Sequence, residues 1–299
     1  MITFRHFLTS IVAVFLALAV GIALGGGPLS DLTDPVPTPV AATDQPADDP
    51  ARAYAEGFAG AVGPVLISAK LAERSIAVVT APGVNEETLT ALAEQVSAAG
   101  GSITGRYSLT DDIVSPEQKA LVDTLGAQLM TQQGKTIAAD STTYDRIGQL
   151  LGVAIATTAP EGDAATDQQA RIIETLVGAD LLALDGTVTK RAPLVLLVLG
   201  GEPAPEGGDA IVSGLAAGLS RAAAGVVVAG TLADGGDGQI GRLRGEPVSA
   251  EVATVDGIDT AAGRVTTVLA LARSLSTKGG AFGASGADGP APLGSVRAP

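Results

Sequence analysis

The residue types that do most of the chemistry in proteins are scarce in this chain of 299 residues. There is one histidine, His6, and no cysteine. A Ser-His-Asp relay therefore cannot be built anywhere but beside residue 6. Without cysteine there are no disulfides, thiolate nucleophiles or thiolate metal sites. Copper-type sites draw on Met, Cys and His, and the methionines are Met1 and Met130 alone. A carboxylate pair could still hydrolyse a glycosidic bond, but no spacing singles out a pair.

Three short stretches look like ligand loops and fall short of the pattern each would need. Gly134-Lys135-Thr136 resembles the end of a phosphate loop, but Leu129 stands where the first glycine belongs, and the triplet follows a helical pattern rather than a strand. Gly200-Gly201-Glu202 follows a very apolar run and could cradle a phosphate. It lacks the G-x-G-x-x-G order, and Glu202 and Glu206 repel anions, so it reads as a strand-end turn. Asp234-Gly235-Gly236-Asp237-Gly238 is acidic without the spacing of a calcium loop, and reads as a turn before a weak divalent-ion site. No catalytic and no cofactor-binding residue is assigned, and metal ligands stay unidentified.

The elements that would carry any site follow an α/β alternation. Ser75–Thr80 is rich in β-branched residues and ends at Ala81-Pro82-Gly83, the pattern of a buried strand and a loop. Asn85 caps a helix with Glu86 and Glu87 in its first turn and Leu89, Leu92, Val96 and Ala99 on one face; Gly100-Gly101 stops it. Ser102–Tyr107 is a second strand, so the unit implies parallel pairing. Capping boxes at Ser115–Gln118 and Thr166–Gln169 open further helices, and Asp140 or Ser141 opens another that runs to Ala156. Strands are expected at Leu181–Leu184, Pro193–Leu199, Val226–Val228 and, as the last, Val252–Val255. Helices are expected over Asp209–Ala223 and from Thr260 onward. Ala51–Leu71 reads as a helix interrupted at Gly63-Pro64. The fold class is α/β: a mostly parallel sheet with flanking helices, preceded by one N-terminal transmembrane helix.

That N-terminal segment is the uncharged run Phe7–Leu24. As a helix it would span roughly 27 Å, close to the hydrocarbon thickness of a bilayer. Arg5 precedes it and Asp31, Asp34 and Asp44 follow, which puts the N-terminus in the cytoplasm and the rest outside. Cleavage at Ala23-Leu24-Gly25 would make the run a secretory signal; its length favours a retained anchor. The domain boundaries are 1–27 for the anchor, 28–50 for a Pro-rich linker, 51–278 for an α/β domain and 279–299 for a disordered tail rich in Gly, Ala, Ser and Pro. The location expected is a membrane, inner or outer undecided, with the soluble domain outside the cytoplasm.

Hydrophobic residues make up 46 % of the chain and aromatics 3 %, so the core is built from Ala, Val, Leu and Ile. The net charge of −14 argues against nucleic acid and against anionic lipid as a partner of the soluble part.

The run VAVFLALAVGIALGGG at the N-terminus resembles the start of the mycobacterial copper transporter B family. The resemblance extends through Ser75-Ile76-Ala77-Val78-Val79 and Gly100-Gly101-Ser102-Ile103-Thr104-Gly105. It is most specific from Thr254 to Val265, TVDGIDTAAGRV, followed by Ala270-Leu271-Ala272, Phe282-Gly283 and Gly286-Ala287-Asp288. It implies an actinobacterial envelope protein of copper efflux and copper homeostasis, described as a pore-forming component of the outer membrane. A membrane β-barrel needs repeated strands of roughly 10 alternating residues, whereas this sequence shows capped helices and short apolar strands. A role in copper tolerance is then indirect or assembly-based. The alternative is a non-enzymatic scaffold or interaction module tethered to the envelope. Expected partners are the lipid bilayer through Phe7–Leu24, copper ions in transit, and further copies of the chain or an envelope protein. The 254–265 segment is either a binding surface or a strand-to-helix turn capped by Thr260.

Overall fold

The computed structural model describes residues 49–134, 141–184, 186–201 and 207–293. Phe7–Leu24, the linker up to residue 48, and Lys135 and Thr136 lie outside them. The chain divides into two compact units, Met1–Pro50 and Ala51–Pro299. Everything below belongs to the second.

The fold grows from the most apolar strands. β1 (Ser75–Thr80), β6 (Leu194–Val198) and β7 (Gly225–Gly230) are parallel neighbours and are buried almost throughout. Period-two alternation sends Leu194, Leu196 and Val198 to one face of the sheet and Val195, Leu197 and Leu199 to the other. Both faces therefore need a helical cover. On one face lie α2 (Glu86–Ala98) and α9 (Ala261–Ser274), joined by the end of α1 (Pro50–Ile67). On the other lie α4 (Lys119–Gln133), α5 (Thr143–Ile155), α6 (Asp167–Gly178), α7 (Gly208–Ser220) and the short α8 (Gln239–Arg244). A single turn, α3 (Asp111–Val114), links β2 (Ser102–Leu109) to α4.

Among the described residues the main sheet has seven strands in the order β4-β2-β1-β6-β7-β8-β9. β2 (Ser102–Leu109), β8 (Ala253–Asp256) and β9 (Ala281–Gly283) are parallel to their inner neighbours, and β4 (Leu182–Leu184) is antiparallel to β2. β3 (Asp163–Ala164) and β5 (Lys190–Arg191) form a separate two-stranded ribbon, across which Arg191 pairs with Asp163. The order in which strands are added reverses between the parallel β1 and β6: β2 lies outside one, β7 to β9 outside the other. Their C-terminal ends mark the switch point where open α/β sheets bind ligands.

The expected α/β class and mostly parallel sheet are present, and the capping box at Thr166 and Gln169 is formed in full. Four local expectations need correction. α1 runs through Gly63-Pro64 without a break. Gly63 lets it approach α9 closely, since a Cβ there would lie 2.6 Å from Val265 Cγ2, and the buried Ile67 and Leu71 hold the chain beyond the proline. Pro116–Gln118 forms a 3-10 turn, in which the Glu117 N–H donates to Ser115 Oγ, and the helix proper begins only at Lys119. The next helix begins at Thr143, later than expected. The segment after 278, expected to be disordered, contributes β9. Phe282 is 3 % exposed there, Asp288 Oδ2 accepts from the Ala281 N–H, and Pro290 O accepts from the Thr266 hydroxyl. One aromatic side chain and a few specific hydrogen bonds outweigh the disorder-prone composition around them.

With so few aromatics, the outer layer closes by bringing backbones together. α5 and α7 run in the same direction, with Tyr144 beside Gly214 and Gly152 beside Leu219. Gly148 and Gly152 on α5 face Gly214 and Gly218 on α7, and a Cβ on Gly218 would overlap the backbone of Asp145, Gly148 and Gln149. Gly218→Val should cost about 3 kcal/mol or more through overpacking. Gly57→Ala, where nothing lies within 4 Å, should instead gain about 0.5–1 kcal/mol from helix propensity. Urea unfolding of the two variants checks both signs.

Candidate functional site

The switch point is filled by the chain itself. The Ala81 N–H donates to Val198 O at 2.8 Å, and Gly200 packs so closely on the Pro82 carbonyl and Gly83 that a Cβ would overlap them. Gly201 has a φ of +74° and lies against Thr231. The glycine pair thus serves the close approach of two strand-end loops; Glu202 and Glu206 lie outside the described residues.

A polar cluster sits at the ends of β8 and β9. Arg244, in the last turn of α8, reaches Asp256 at the end of β8, with Nη2 2.6 Å from Oδ1. The same guanidinium donates to Thr254 Oγ1, Ser285 Oγ and Phe282 O at 3.0, 2.8 and 2.7 Å. The other oxygen of Asp256 accepts from the Ser285 N–H at 2.9 Å, and Ser285 Oγ accepts from the Gly236 N–H. Asp256 is 1 % exposed, so this ion pair is held out of water with its acceptors filled.

The TVDGIDTAAGRV segment is the strand-to-helix turn next to that cluster. Gly257 takes a φ of +100°. The Thr260 hydroxyl accepts from the Gly263 N–H at 3.0 Å and donates to Gly257 O at 2.8 Å. Asp259 Oδ1 accepts from the Leu232 N–H, Arg264 donates to Ile258 O, and a Cβ on Gly263 would overlap Gly257 O. Of the two readings of this segment the structure gives the capped turn, with Thr260 as the N-cap of α9. Its polar side chains answer to the chain's own backbone.

The acidic run from Asp234 is drawn inward in the same way. Asp234 Oδ2 accepts from the Thr231 N–H at 2.7 Å and from its hydroxyl at 3.0 Å. Burial raises the Asp234 carboxyl above its ordinary value, Thr231 pulls it back through both hydrogen bonds, and the negative charge of Asp259 raises it again. Asp237 is held at its carbonyl, which accepts from Arg242 at 2.5 Å.

On the helical side a concavity of about 600 Å³ is lined by Thr142, Asp145, Ser213, Ser220, Arg221 and Lys278, among others. Arg221 pairs with Asp145 at 2.7 Å and Lys278 with Glu251 at 2.5 Å, so its charges cancel within its own wall. Among the described residues no three His, Cys, Asp or Glu side chains come together as a metal site. Met130 on α4 is half-buried against the helical core. His6 and Met1 lie outside the described residues.

The self-filled switch point, the inward-turned carboxylates and the capped turn leave the family of the chain to be decided by the sequence as a whole. The model of a family described as "Copper transport outer membrane protein, MctB" matches residues 1–292. The chain belongs to the MctB family. The copper transporter MctB of Mycobacterium tuberculosis (strain ATCC 25618 / H37Rv) is 28 % identical over 300 residues, covering 91 % of this chain and 92 % of that protein. The copper transporter MctB of Mycobacterium leprae (strain TN) is 28 % identical over 315 residues, covering 92 % and 94 %. The match of the MctB model spans the apolar N-terminal run, the α/β domain and β9 together. No helix among the described residues is long and apolar enough to cross a membrane.

Two measurements check these roles. Arg244→Ala leaves Asp256 buried and unpaired and should cost about 3–5 kcal/mol. Adding Asp256→Ala should then cost less than the sum of the single changes, as read by urea unfolding of the double-mutant cycle. For Asp234 the folded carboxyl binds its proton more tightly than the unfolded one. Its contribution is most favourable below the unfolded value of about 3.8 and is lost as pH rises through the raised folded value. Asp234→Asn does not titrate. As pH rises from about 3.8 the stability of the parent should therefore fall relative to the variant, and the difference should level off once the folded carboxyl has ionised.

Proposed function

We propose that this chain is a membrane-tethered component of copper export in the cell envelope, held by Phe7–Leu24 with its α/β domain outside the cytoplasm. The observation that carries this reading is the family match, which runs from the apolar segment to β9 without selecting the domain alone. The curated relatives named copper transporters cover almost the whole chain. The charge asymmetry around the run, Arg5 before and Asp31 and Asp34 after, supports the orientation.

The domain's part in this is assembly and not chemistry. Its sheet is covered by helices on both faces, so its strands are not a lipid-facing wall. Asp234, Asp256 and Asp259 are turned onto its own backbone and Arg244. It is non-enzymatic in this reading, and copper is cargo that meets the assembly, not a resident ion of the domain. One membrane helix cannot enclose a pore, so passage of copper calls for several copies or a partner.

A deletion strain should grow poorly at raised copper. The full chain should restore growth, and a chain lacking Phe7–Leu24 should not. Unchanged copper tolerance in the deletion strain would overturn the copper role, and recovery of the full chain in the soluble fraction would overturn the tether. Planar-bilayer recording of the purified full chain separates a conducting assembly from a purely scaffolding one.

A further inference from the structure

α1 is held by its domain along one narrow line. Its buried residues are Gly63 and Ile67. Glu56 Oε2, on the same line, accepts from the Ala261 N–H at the start of α9, 2.9 Å away, and Gly63 abuts Val265. The opposite line carries Ala51, Tyr54, Phe58, Ala61 and Val65. Tyr54 is 74 % exposed, Phe58 58 % and Val65 77 %, and the two rings stack on each other with centroids 6.3 Å apart.

The spacing along this line is three, four, three, four. That is the a/d period of a helix pair and not the broader stripe of a helix lying on a core. With Ala51, Phe58 and Val65 at a and Tyr54 and Ala61 at d, the positions facing the domain, Glu56 and Gly63, fall at f, directly opposite the seam. The flanking e and g positions are Ala55, Val62, Gly57 and Pro64, none of them charged. In a chain of net charge −14 this strip is where two copies can meet without repulsion.

We propose that α1 pairs, parallel and in register, with the α1 of a second copy of this chain along Ala51, Tyr54, Phe58, Ala61 and Val65. The chain that enters α1 favours one direction. Residues 1–49 lead into its N-terminal end, so in two copies tethered to one membrane both α1 helices are entered from their tethered ends, which favours the parallel pair. This orientation rests on the tether proposed above; the seam itself does not. The linker Pro28–Pro50 would reach roughly 70 Å in a polyproline conformation. Two heptads are marginal in free solution, and confinement by the tether supplies the effective concentration the pairing needs. A membrane surface fits this line less well. Interfacial helices carry rows of Lys and Arg beside a wide apolar face, and the charges of α1 are Arg52 and Glu56.

Because the chain has no cysteine, single substitutions report the contact directly. Ala61→Cys lies on the seam, and Gly60→Cys lies off it with nothing within 4 Å. Under mild diamide oxidation of the full chain in membranes, the seam variant should form disulfide dimers at least about tenfold more than the off-seam variant, because parallel, in-register pairing sets Ala61 beside its own copy, whereas an antiparallel pair centred on Phe58 would set it beside Ala55. Adding Phe58→Glu to Ala61→Cys should lower dimer yield to the off-seam level, with the circular dichroism spectrum unchanged. Equal yields at 60 and 61, or a yield at 61 that Phe58→Glu does not change, would overturn the pairing. A membrane-bound chain that does not cross-link at 61 also overturns it and leaves the tether standing. A soluble chain that does cross-link at 61 supports the pairing and removes the tether.

Discussion

The backbone ladders of β1, β6 and β7 have no water on either side, and the rest of the domain follows from that constraint. A strand with Leu, Val and Ala on both faces must be covered twice, and residues from Leu194 to Leu199 alternate between the two covers without a polar interruption. Since aromatics make up 3 % of the chain, bulk side chains cannot fill the space between layers. The outer helices come to the sheet and to each other by shedding side-chain volume. Gly148, Gly152, Gly214 and Gly218 do this between α5 and α7, and Gly63 does it between α1 and α9. The price is backbone freedom in the unfolded chain, and it brings α5 and α7 into direct main-chain contact.

The same economy governs the polar residues. Arg244, Asp256, Ser285 and Thr254 close the edge of the sheet where β9 is added, and Asp234, Asp259 and Thr260 hold the loops that flank it. The TVDGIDTAAGRV segment is therefore architecture: Gly257 and Gly263 allow a turn that no Cβ would permit, and Thr260 starts the helix that follows. A copper-linked family need not carry copper ligands in its folded domain if that domain serves to hold an assembly together.

Much of this was legible in the residue order. The alternation of apolar runs with capped helices identifies the layered fold, and Asn85, Thr166 and Thr260 announce three helix starts through local hydrogen bonds that depend on little else. What could not be read depends on partners distant in sequence. Phe282 looks like an isolated aromatic in a flexible tail until Arg273 lies over its ring at 5.3 Å and Arg244 reaches its carbonyl. Gly200 looks like a ligand loop until the loop of Pro82 is placed against it. The continuation of α1 past Pro64 is likewise set by Val265, two hundred residues later, and not by local propensity.

That long-range contact gives α1 its meaning. A row of apolar residues on a helix free to roll would bury itself against its own domain. Here Glu56 is fixed to the first turn of α9, Gly63 is wedged on Val265, and Ile67 is sunk in the core, so the helix cannot turn without breaking all three. Tyr54, Phe58 and Val65 are consequently held outward, at a cost in exposed apolar area that an isolated domain would have no reason to bear. The turn that Thr260 caps thus sets the direction in which the helix nearest the N-terminal run faces. In a domain whose sheet is covered by helices on both faces, that outward line is the part of the surface where apolar side chains are held away from the core.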